Sequence, residues 1–311
     1  MKQVSGDSGL GLDPAFVAEQ VRLACVAEVM AFKPGNVSTA SDGHGMRAED
    51  FIASATAIAA VIAVPDGRVG NRIYRAVEAT QAAVECNTNL GIVLLVAPLV
   101  QAALQSSNEV RLRPRLEGVL QALDREDALH AFRAIRLAAP AGLGTRACHD
   151  VHADPAVTLL EAMREARRED RIAFQYASGY RDIFEFGAMR FRQVRSRHGI
   201  EWALVSTYLG FLARFPDTHV ARKFGPEVAA AVSRAAVWLD RVLLQADVPE
   251  RLLPHLREMD RALKTAGVNP GTSADLTVAS ALATILEDAL KSCFDERGCG
   301  AVPVVAKSRL S

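Results

Sequence analysis

Apolar residues recur every three or four positions through most of this 311-residue chain. This spacing places them on one face of an α-helix, whereas a half-buried β-strand would alternate apolar and polar residues. Alanine, the strongest helix former, supplies 53 residues, and aromatic residues make up only 6%. No segment shows the alternation of a strand. The sequence therefore predicts an all-α fold.

Turn and cap signals divide the chain into about ten helices. Asp13 followed by Pro14 is typical of a helix start, and the Lys-Pro-Gly-Asn segment at 33–36 is typical of a stop. Further helices are expected over about 48–64, 69–84, 92–104, 127–138, from 154 onward, and over 183–195, 201–214, 226–244, 249–264 and 273–291. No repeat or change in composition marks a boundary. We expect one helical bundle domain over residues 12–292, with flexible termini at 1–11 and 295–311.

Charge and cysteine content exclude several classes of protein. The 36 Lys and Arg residues balance the 36 Asp and Glu residues, so no overall field favours nucleic acid or an anionic membrane. Five cysteines without a Cys-x-x-Cys pair argue against a disulfide framework and a structural zinc site. No window approaches the roughly 20 apolar residues of a membrane span. A cytoplasmic protein is expected, with its oligomeric state open and a homo-oligomer among the alternatives.

Four polar joints interrupt the apolar pattern, and each adjoins a predicted helix end. They cover residues 33–36, 87–91, 215–219 and 269–275. Helix N-termini offer free N–H groups, and nearby carboxylates can hold Mg²⁺ against phosphate oxygens. The joints could therefore form one polyphosphate site. Taken singly, each is better explained as a turn or a cap, and Thr272 with Asp275 fits a capping box.

These joints resemble the motifs of the triphosphoribosyl-dephospho-CoA synthase family. Glu28, the 33–36 segment, His44, Met46, Phe51 and Ser54 resemble its opening block of Glu, Pro-Lys-Pro-Gly, His-x-x-Met and Phe-x-x-Ser, although one residue separates His44 from Met46. Asn-Thr-Asn-Leu-Gly at 87–91 resembles a block that usually ends Asn-Thr-His-Lys-Gly. Residues 217–225 resemble the Asp-Thr-Asn block and its Arg-Gly pair, and residues 269–276 resemble Ser-Pro-Gly-Gly-Ser-Ala-Asp-Leu. The resemblance spans about residues 20–290.

The resemblance implies a Mg²⁺-dependent transferase that uses ATP. In the family's reaction, a ribose hydroxyl of 3′-dephospho-CoA attacks the anomeric carbon of ATP, adenine leaves, and the triphosphate stays on the new ribosyl group. Asn89 and Leu90 stand where the family carries His and Lys, so the acceptor or donor of this chain can differ. Two alternatives remain: a glycosyl- or phosphoribosyl-transfer enzyme of tetrahydromethanopterin-linked one-carbon metabolism, and a non-catalytic helical nucleotide-binding protein. The partners expected are a nucleotide and a small-molecule acceptor.

The joints and the resemblance together select the candidate site residues. Glu28, His44 and Asp217 are candidates for catalysis, because cleavage of an N-glycosidic bond needs carboxylates and a proton carrier. Asp217 and Asp275 are candidates for holding Mg²⁺. The candidates for binding the nucleotide are Lys33, Gly35, Asn36, Asn87, Thr88, Asn89, Gly91, Arg222, Gly271 and Ser273. Each has a structural alternative: an exposed helix position for Glu28, an Asx turn for Asp217, a solvated cation for Lys33 and Arg222, and caps for the amides.

Two further expectations can be tested by geometry. Asn36, His44, Asn87, Asp217 and Asp275 should line one cleft, and Asp→Asn at 217 or 275 should lower turnover while leaving stability nearly unchanged. His149 and His152, three residues apart and flanked by Asp150 and Asp154, form a less specific candidate for a second metal site.

Overall fold

The computed structural model describes residues 10–65, 67–84, 86–139 and 153–298, with the last three as backbone only. Within these residues the fold is all-α, and pairing of β type is limited to three isolated bridges. The α-helices are α1 (Pro14–Met30), α2 (Ala48–Ile62), α3 (Val69–Val84), α4 (Leu90–Leu104), α5 (Leu112–Gln121), α6 (Arg125–Ala138), α7 (Leu159–Ala166), α8 (Arg171–Ser178), α9 (Ala188–Arg214), α10 (Thr218–Phe224), α11 (Pro226–Gln245), α12 (Leu253–Thr265) and α13 (Gly271–Gly298). A π-helix, Ile183–Gly187, precedes α9, and a 3₁₀-helix, Pro249–Leu252, precedes α12.

The predicted all-α class is confirmed, and the number of helices is somewhat larger than predicted. The described part of the chain has thirteen α-helices rather than about ten, because α5, α8 and α10 were not recognised. These three have only seven to ten residues each, too few to show a clear period. The predicted start at Asp154 is wrong: α7 begins after Thr158, whose hydroxyl accepts a hydrogen bond from Glu161 N.

Helix α4 lies at the centre of the larger of two main apolar clusters. Twelve of its fifteen residues are buried, as expected for a helix that is apolar on all sides. Pro98 lies inside it and has no N–H to donate to Leu94 O, four residues earlier. The Tyr176 hydroxyl donates to that carbonyl at 2.6 Å, and the Tyr180 hydroxyl donates to Leu95 O at 3.0 Å. The two tyrosines therefore satisfy carbonyls near the proline and hold α8 and the residues that follow it against α4.

The second apolar cluster is built mainly from α9, α11 and α12, and α13 contributes side chains to both clusters. Residues 183–214, predicted as two helices, form the π-helix and α9, which is interrupted at Gly199 (φ 80°). α13 packs between the two clusters. Its N-terminus lies near the beginnings of α4, α8 and α10. No helix in the described part of the chain is both long and apolar enough to span a bilayer.

Candidate active site

A cavity of about 570 Å³ lies where several helix N-termini meet. Its walls include the first residues of α4, α8 and α13, together with the loop between α1 and α2. One end is polar and charged, and the other is formed by apolar side chains of α6 and α7. The residues that line it include Glu28, Asn36, His44, Asn87, Thr88, Asn89, Gly91, Phe132, Ile135, Leu159, Met163, Asp170, His219, Arg222, Lys223, Gly271 and Asp275.

All four polar joints contribute to this cavity. Of the five residues expected to line one cleft, four do so: Asn36, His44, Asn87 and Asp275. Asp217 is the exception. Glu28, Thr88, Asn89, Gly91, Arg222 and Gly271 also line it, whereas Lys33, Gly35 and Ser273 lie outside it. Residues separated by about 240 positions in sequence are thus brought to one site.

Lys33 is fully buried and does not line the cavity. Its exposed fraction is 0%, and its ammonium donates to Glu28 O at 2.6 Å, Ala31 O at 3.1 Å and Val37 O at 3.3 Å. The expectation that Lys33 contacts phosphate is therefore corrected, because its three protons close the end of α1. The Glu28 carboxylate lies 3.2 Å from Lys33 Nζ and accepts no hydrogen bond at Oε1. Burial raises the pKa of Glu28 and lowers that of Lys33, and the pair partly offsets both effects.

Gly35 shapes the loop that carries Asn36 and His44, and it does not reach the cavity. Its φ of 81° favours glycine, and a Cβ there would lie 2.7 Å from Leu263. Its N–H donates to Asp260 at 2.8 Å, and its carbonyl lies 2.8 Å from His44 Nε2. Since a carbonyl can only accept, Nε2 carries a proton, and in a neutral ring Nδ1 is the basic nitrogen.

The Asp217 carboxylate joins the N-termini of α10 and α13. Oδ1 accepts from His219 N at 2.9 Å and Val220 N at 3.1 Å, and Oδ2 accepts from Ser273 N and Ser273 Oγ, both at 2.8 Å. The side chain is only 2% exposed. Four donors occupy its oxygens, so the geometry does not favour the expected metal ligand, and Ser273 likewise serves this contact rather than the cavity. The expected capping box at Thr272 is not formed among the described residues, because Thr272 lies inside α13, which begins at Gly271; its hydroxyl accepts from His219 N at 3.1 Å.

Asp275 is the acid best placed to meet a ligand. It lines the cavity in the first turn of α13, and no hydrogen bond to its carboxylate is found among the described residues. Burial raises the pKa of Asp275 well above its ordinary value, and the negative charges of Asp217, Glu28 and Asp170 raise it further, whereas Arg222 opposes the shift. A carboxylate with this surplus of negative neighbours would be stabilised by a cation.

Gly91 allows Asp275 to approach α4. A Cβ at position 91 would lie 2.0 Å from Asp275 Oδ2 and 2.5 Å from its carboxyl carbon. No larger residue fits without displacing the carboxylate. The glycine of the second joint is therefore explained by packing against the fourth joint.

The α10 side of the cavity carries its cations. Arg222 pairs with Asp170 at 2.5 Å, and Lys223 is exposed beside it. His219 lines the same side, and burial lowers its pKa, which favours the neutral ring. Asp170 and His219 were not among the predicted site residues. His219 stood within the third joint, but nothing in the sequence showed that Asp170 would face it.

The α4 side carries neutral groups. Asn87 Oδ1 accepts from Leu90 N at 3.2 Å, and the Thr88 hydroxyl lies 2.6 Å from Ser54 Oγ. Asn89 Oδ1 lies 3.1 Å from Thr80 Oγ, whereas its buried Nδ2 has no partner. Asn36 donates to Asn269 Oδ1 at 2.9 Å across the first and fourth joints. Helix capping thus accounts for the side chain of Asn87, and it leaves Asn89 Nδ2 without a partner.

No cluster of three or more His, Cys, Asp or Glu residues forms a ready metal site within the described ranges. His149 and His152, the second metal candidate, lie outside those ranges. A Mg²⁺ ion commonly takes one or two protein carboxylates and completes its shell with water and substrate phosphates. Asp275, whose carboxylate has no hydrogen bond among the described residues, fits that mode of binding, and Glu28, which is paired with Lys33, also lines the cavity.

Comparisons with known proteins identify relatives of the chain. The profile of the CitG family, described as ATP:dephospho-CoA triphosphoribosyl transferase, matches residues 14–294. A crystal structure from Archaeoglobus fulgidus, provisionally assigned as a triphosphoribosyl-dephospho-CoA synthase, is 26% identical, with a TM-score of 0.58. That match covers 77% of this chain and 98% of the archaeal chain. A comparison with curated proteins found no match.

Proposed function

This chain belongs to the ATP:dephospho-CoA triphosphoribosyl transferase family and is a transferase of that type, and we propose that it transfers the triphosphoribosyl group of ATP to a ribose hydroxyl of 3′-dephospho-CoA, with Mg²⁺ bound. The convergence of all four polar joints on one cavity carries the proposal. The cavity volume of about 570 Å³ lies within the range of small-molecule sites. Its charged and apolar ends suit a substrate that combines phosphates with an aromatic base.

The phosphates would bind on the α10 side, where Arg222 and Lys223 supply positive charge. Arg222 already pairs with Asp170, so a phosphate would compete with or share that guanidinium. The apolar end, formed by Phe132, Ile135 and Met163, would take the adenine base or the uncharged arm of the acceptor. With the substrate bound in this way, the glycosidic bond would lie between the two ends.

Asp275 and Glu28 would hold Mg²⁺, and Mg²⁺ would neutralise phosphate charge when bound. His44 would take the proton from the attacking hydroxyl at Nδ1, because Nε2 is engaged by Gly35 O at 2.8 Å. The carboxylates of the cavity would also stabilise the positive charge that develops on the ribosyl ring as adenine leaves. Asp217 has a positioning role here, since it holds α10 and α13 together without lining the cavity.

One observation favours a second candidate, in which the acceptor is a pterin-type compound. Asn89 and Leu90 make the α4 side of the cavity neutral, whereas the family pattern has His and Lys there. Loss of a cation changes which acceptor phosphate could be bound. The transfer chemistry would be the same, and the acceptor would differ.

Release of free adenine tests the proposal directly. Purified protein is incubated with ATP, Mg²⁺ and either 3′-dephospho-CoA or a pterin-type acceptor, and adenine is measured by chromatography. We expect adenine to form only with dephospho-CoA, and we expect no adenine to form when EDTA is present from the start. Adenine release with the pterin alone would establish the second candidate. Binding of ATP without adenine release from either mixture would indicate a non-catalytic nucleotide-binding protein and contradict both.

A further inference from the structure

The loop between α1 and α2 carries His44 into the cavity with an uncommon backbone conformation. His44 has a φ of 58°, and Gly45, the next residue, has a φ of 75°. A residue other than glycine keeps a positive φ only where its surroundings hold it there. Contacts from elsewhere in the fold must therefore keep His44 in place.

The Lys-Pro-Gly-Asn turn of this loop presents the carbonyl that meets His44. Its third residue, Gly35, has a φ of 81°, as the third position of a type II turn requires. Gly35 N donates to Asp260 Oδ1 at 2.8 Å, and the preceding Pro34 O accepts from the Tyr208 hydroxyl at 2.6 Å. The peptide group between Pro34 and Gly35 is thus held at both polar atoms, and Gly35 O lies 2.8 Å from His44 Nε2.

Asp260 and Lys264, one turn apart in α12, also hold the middle of the loop. Asp260 Oδ2 accepts from Ser41 Oγ at 2.7 Å, and Lys264 Nζ donates to Ser41 O at 2.8 Å and to Ser41 Oγ at 2.5 Å. Lys264 Nζ lies 3.1 Å from Asp260 Oδ1. The stem of Lys264 passes Gly43, where a Cβ would lie 2.9 Å from Lys264 Cε. The loop therefore contacts α12 at three positions ahead of His44.

Asp260 and Lys264 act on the cavity through the loop alone. Neither residue lines the cavity, and the Asp260 side chain is only 6% exposed. The contact with Gly35 matters for chemistry, because the Gly35 carbonyl accepts only and so selects the proton-bearing nitrogen of His44. A loop released from α12 would leave that choice open.

We propose that Asp260, paired with Lys264, is a positioning residue that holds Gly35 O against His44 Nε2 and so keeps Nδ1 as the basic nitrogen. A hydrogen bond to one nitrogen of an imidazole ring commonly sets the protonation of the other. The inference rests on the proposed function for the role of His44 in proton transfer. The tautomer itself is a property of the substrate-free protein and is measured without turnover.

The first test is the ring-nitrogen NMR spectrum of ¹⁵N-labelled, substrate-free protein at a pH where the imidazole is neutral. The signals lost in His44→Gln identify His44. In wild type, Nε2 should carry the proton. Asp260→Ala should give a mixture of both tautomers, whereas Asp260→Asn, whose amide oxygen can still accept from Gly35 N, should stay close to wild type.

The second test is the kinetics of adenine release. Asp260→Ala should lower kcat at least about 10-fold with little change in the KM for ATP, because the loop positions a proton carrier. In a His44→Gln background, the same substitution should lower kcat no further. Asp240→Ala is the matched control: Asp240 also pairs with a buried cation, Arg190, outside the cavity, and its loss should change neither the tautomer nor kcat.

The double substitution Asp260→Leu with Lys264→Met guards against misfolding of Asp260→Ala. It removes both charges together, so neither is left buried without its partner, and it should give the same mixture of tautomers. Thermal unfolding shows which variants are folded.

A wild-type tautomer in whichever of these variants folds would overturn the inference. So would an equal loss of kcat in the presence and absence of His44. If wild type releases no adenine, the proposed function fails, and the NMR result still decides whether Asp260 positions His44.

Discussion

At the scale of single residues, burial and hydrogen bonding separate the acids of this site into different roles. Asp217 has four donors on its two oxygens, whereas Asp275 has no hydrogen bond within the described residues. Both acids lie in polar joints, and each belongs to a block that resembles a motif of the family. Their local surroundings, rather than their residue type, decide which can bind a ligand.

Asp217→Asn is expected to destabilise the protein by about 2–4 kcal/mol. An amide can place its oxygen toward only one pair of donors, so its NH₂ group would face donors from either α10 or Ser273. Urea unfolding measures the loss, and Asp13→Asn is the matched control, because Asn caps α1 as well as Asp does. An Asp217→Asn protein with unchanged stability and no activity would return Asp217 to the role of metal ligand.

Asp275→Asn is expected to lower turnover by at least about 100-fold and to stabilise the metal-free protein near neutral pH. Because the folded-state pKa of Asp275 is raised, the folded protein binds a proton more tightly than the unfolded chain does. The stability of metal-free wild type should therefore fall as pH rises from about 4, the unfolded Asp value, through the raised pKa. Thermal unfolding against pH should show a smaller fall for Asp275→Asn.

Mg²⁺ should reduce the loss of stability with rising pH in wild type, because it stabilises the charged carboxylate of Asp275. Asp288→Asn provides the control on the same helix, because Asp288 pairs with Arg192 and Arg195 outside the cavity. This variant should keep both the turnover and the pH dependence of wild type. Wild-type turnover by Asp275→Asn would remove Asp275 from the metal site.

At the scale of helices, the contact between α4 and α13 depends on Gly91. Gly91→Ala would place Cβ 2.0 Å from Asp275 Oδ2, so either the carboxylate or α4 must move. We expect a loss of stability of about 1–3 kcal/mol and at least about 10-fold lower adenine release. Gly118→Ala in α5 is the control: a Cβ there meets nothing within 4 Å, and the change should stabilise by about 0.5–1 kcal/mol. Full activity of Gly91→Ala would contradict the role given to this contact.

Long helices were predictable from the sequence, and short ones were not. The prediction of 69–84 agrees with α3, and Asp13 caps α1 as predicted. The period of a helix needs several turns to appear, so α8 with eight residues and α10 with seven were too short to be recognised. Their position matters for function, because α8 brings Asp170 and α10 brings Arg222 to the cavity.

The candidate site was predictable as a set of joints, but not as a set of roles. Sequence order indicates that a glycine or an acid adjoins a helix end, and tertiary contacts decide what it touches there. Lys33 was expected to meet phosphate and is instead buried against the carbonyls of its own loop. Gly35 and Ser273 likewise have partners that are more than 50 residues away in sequence.

At the scale of the whole molecule, the fold gathers charged side chains at one cavity while the chain as a whole is neutral. Equal numbers of basic and acidic residues leave no net charge, and the cavity is lined by the cations Arg222 and Lys223 of α10 and by carboxylates that include Asp170, beside Arg222, and Asp275 in α13. α13 contributes side chains to both apolar clusters, and its first turn carries Asp275 into the cavity. A single cavity that binds both substrates would bring the reacting atoms together.

The central claim is that this cavity breaks the glycosidic bond of ATP and leaves the triphosphate intact. The most direct test uses ATP labelled at the γ-phosphate, with Mg²⁺ and 3′-dephospho-CoA, and follows both the label and free adenine. We predict that the label moves to the CoA product and that one adenine is released for each label transferred. Label appearing as phosphate or pyrophosphate, or label transferred while adenine stays attached to ribose, would contradict the claim.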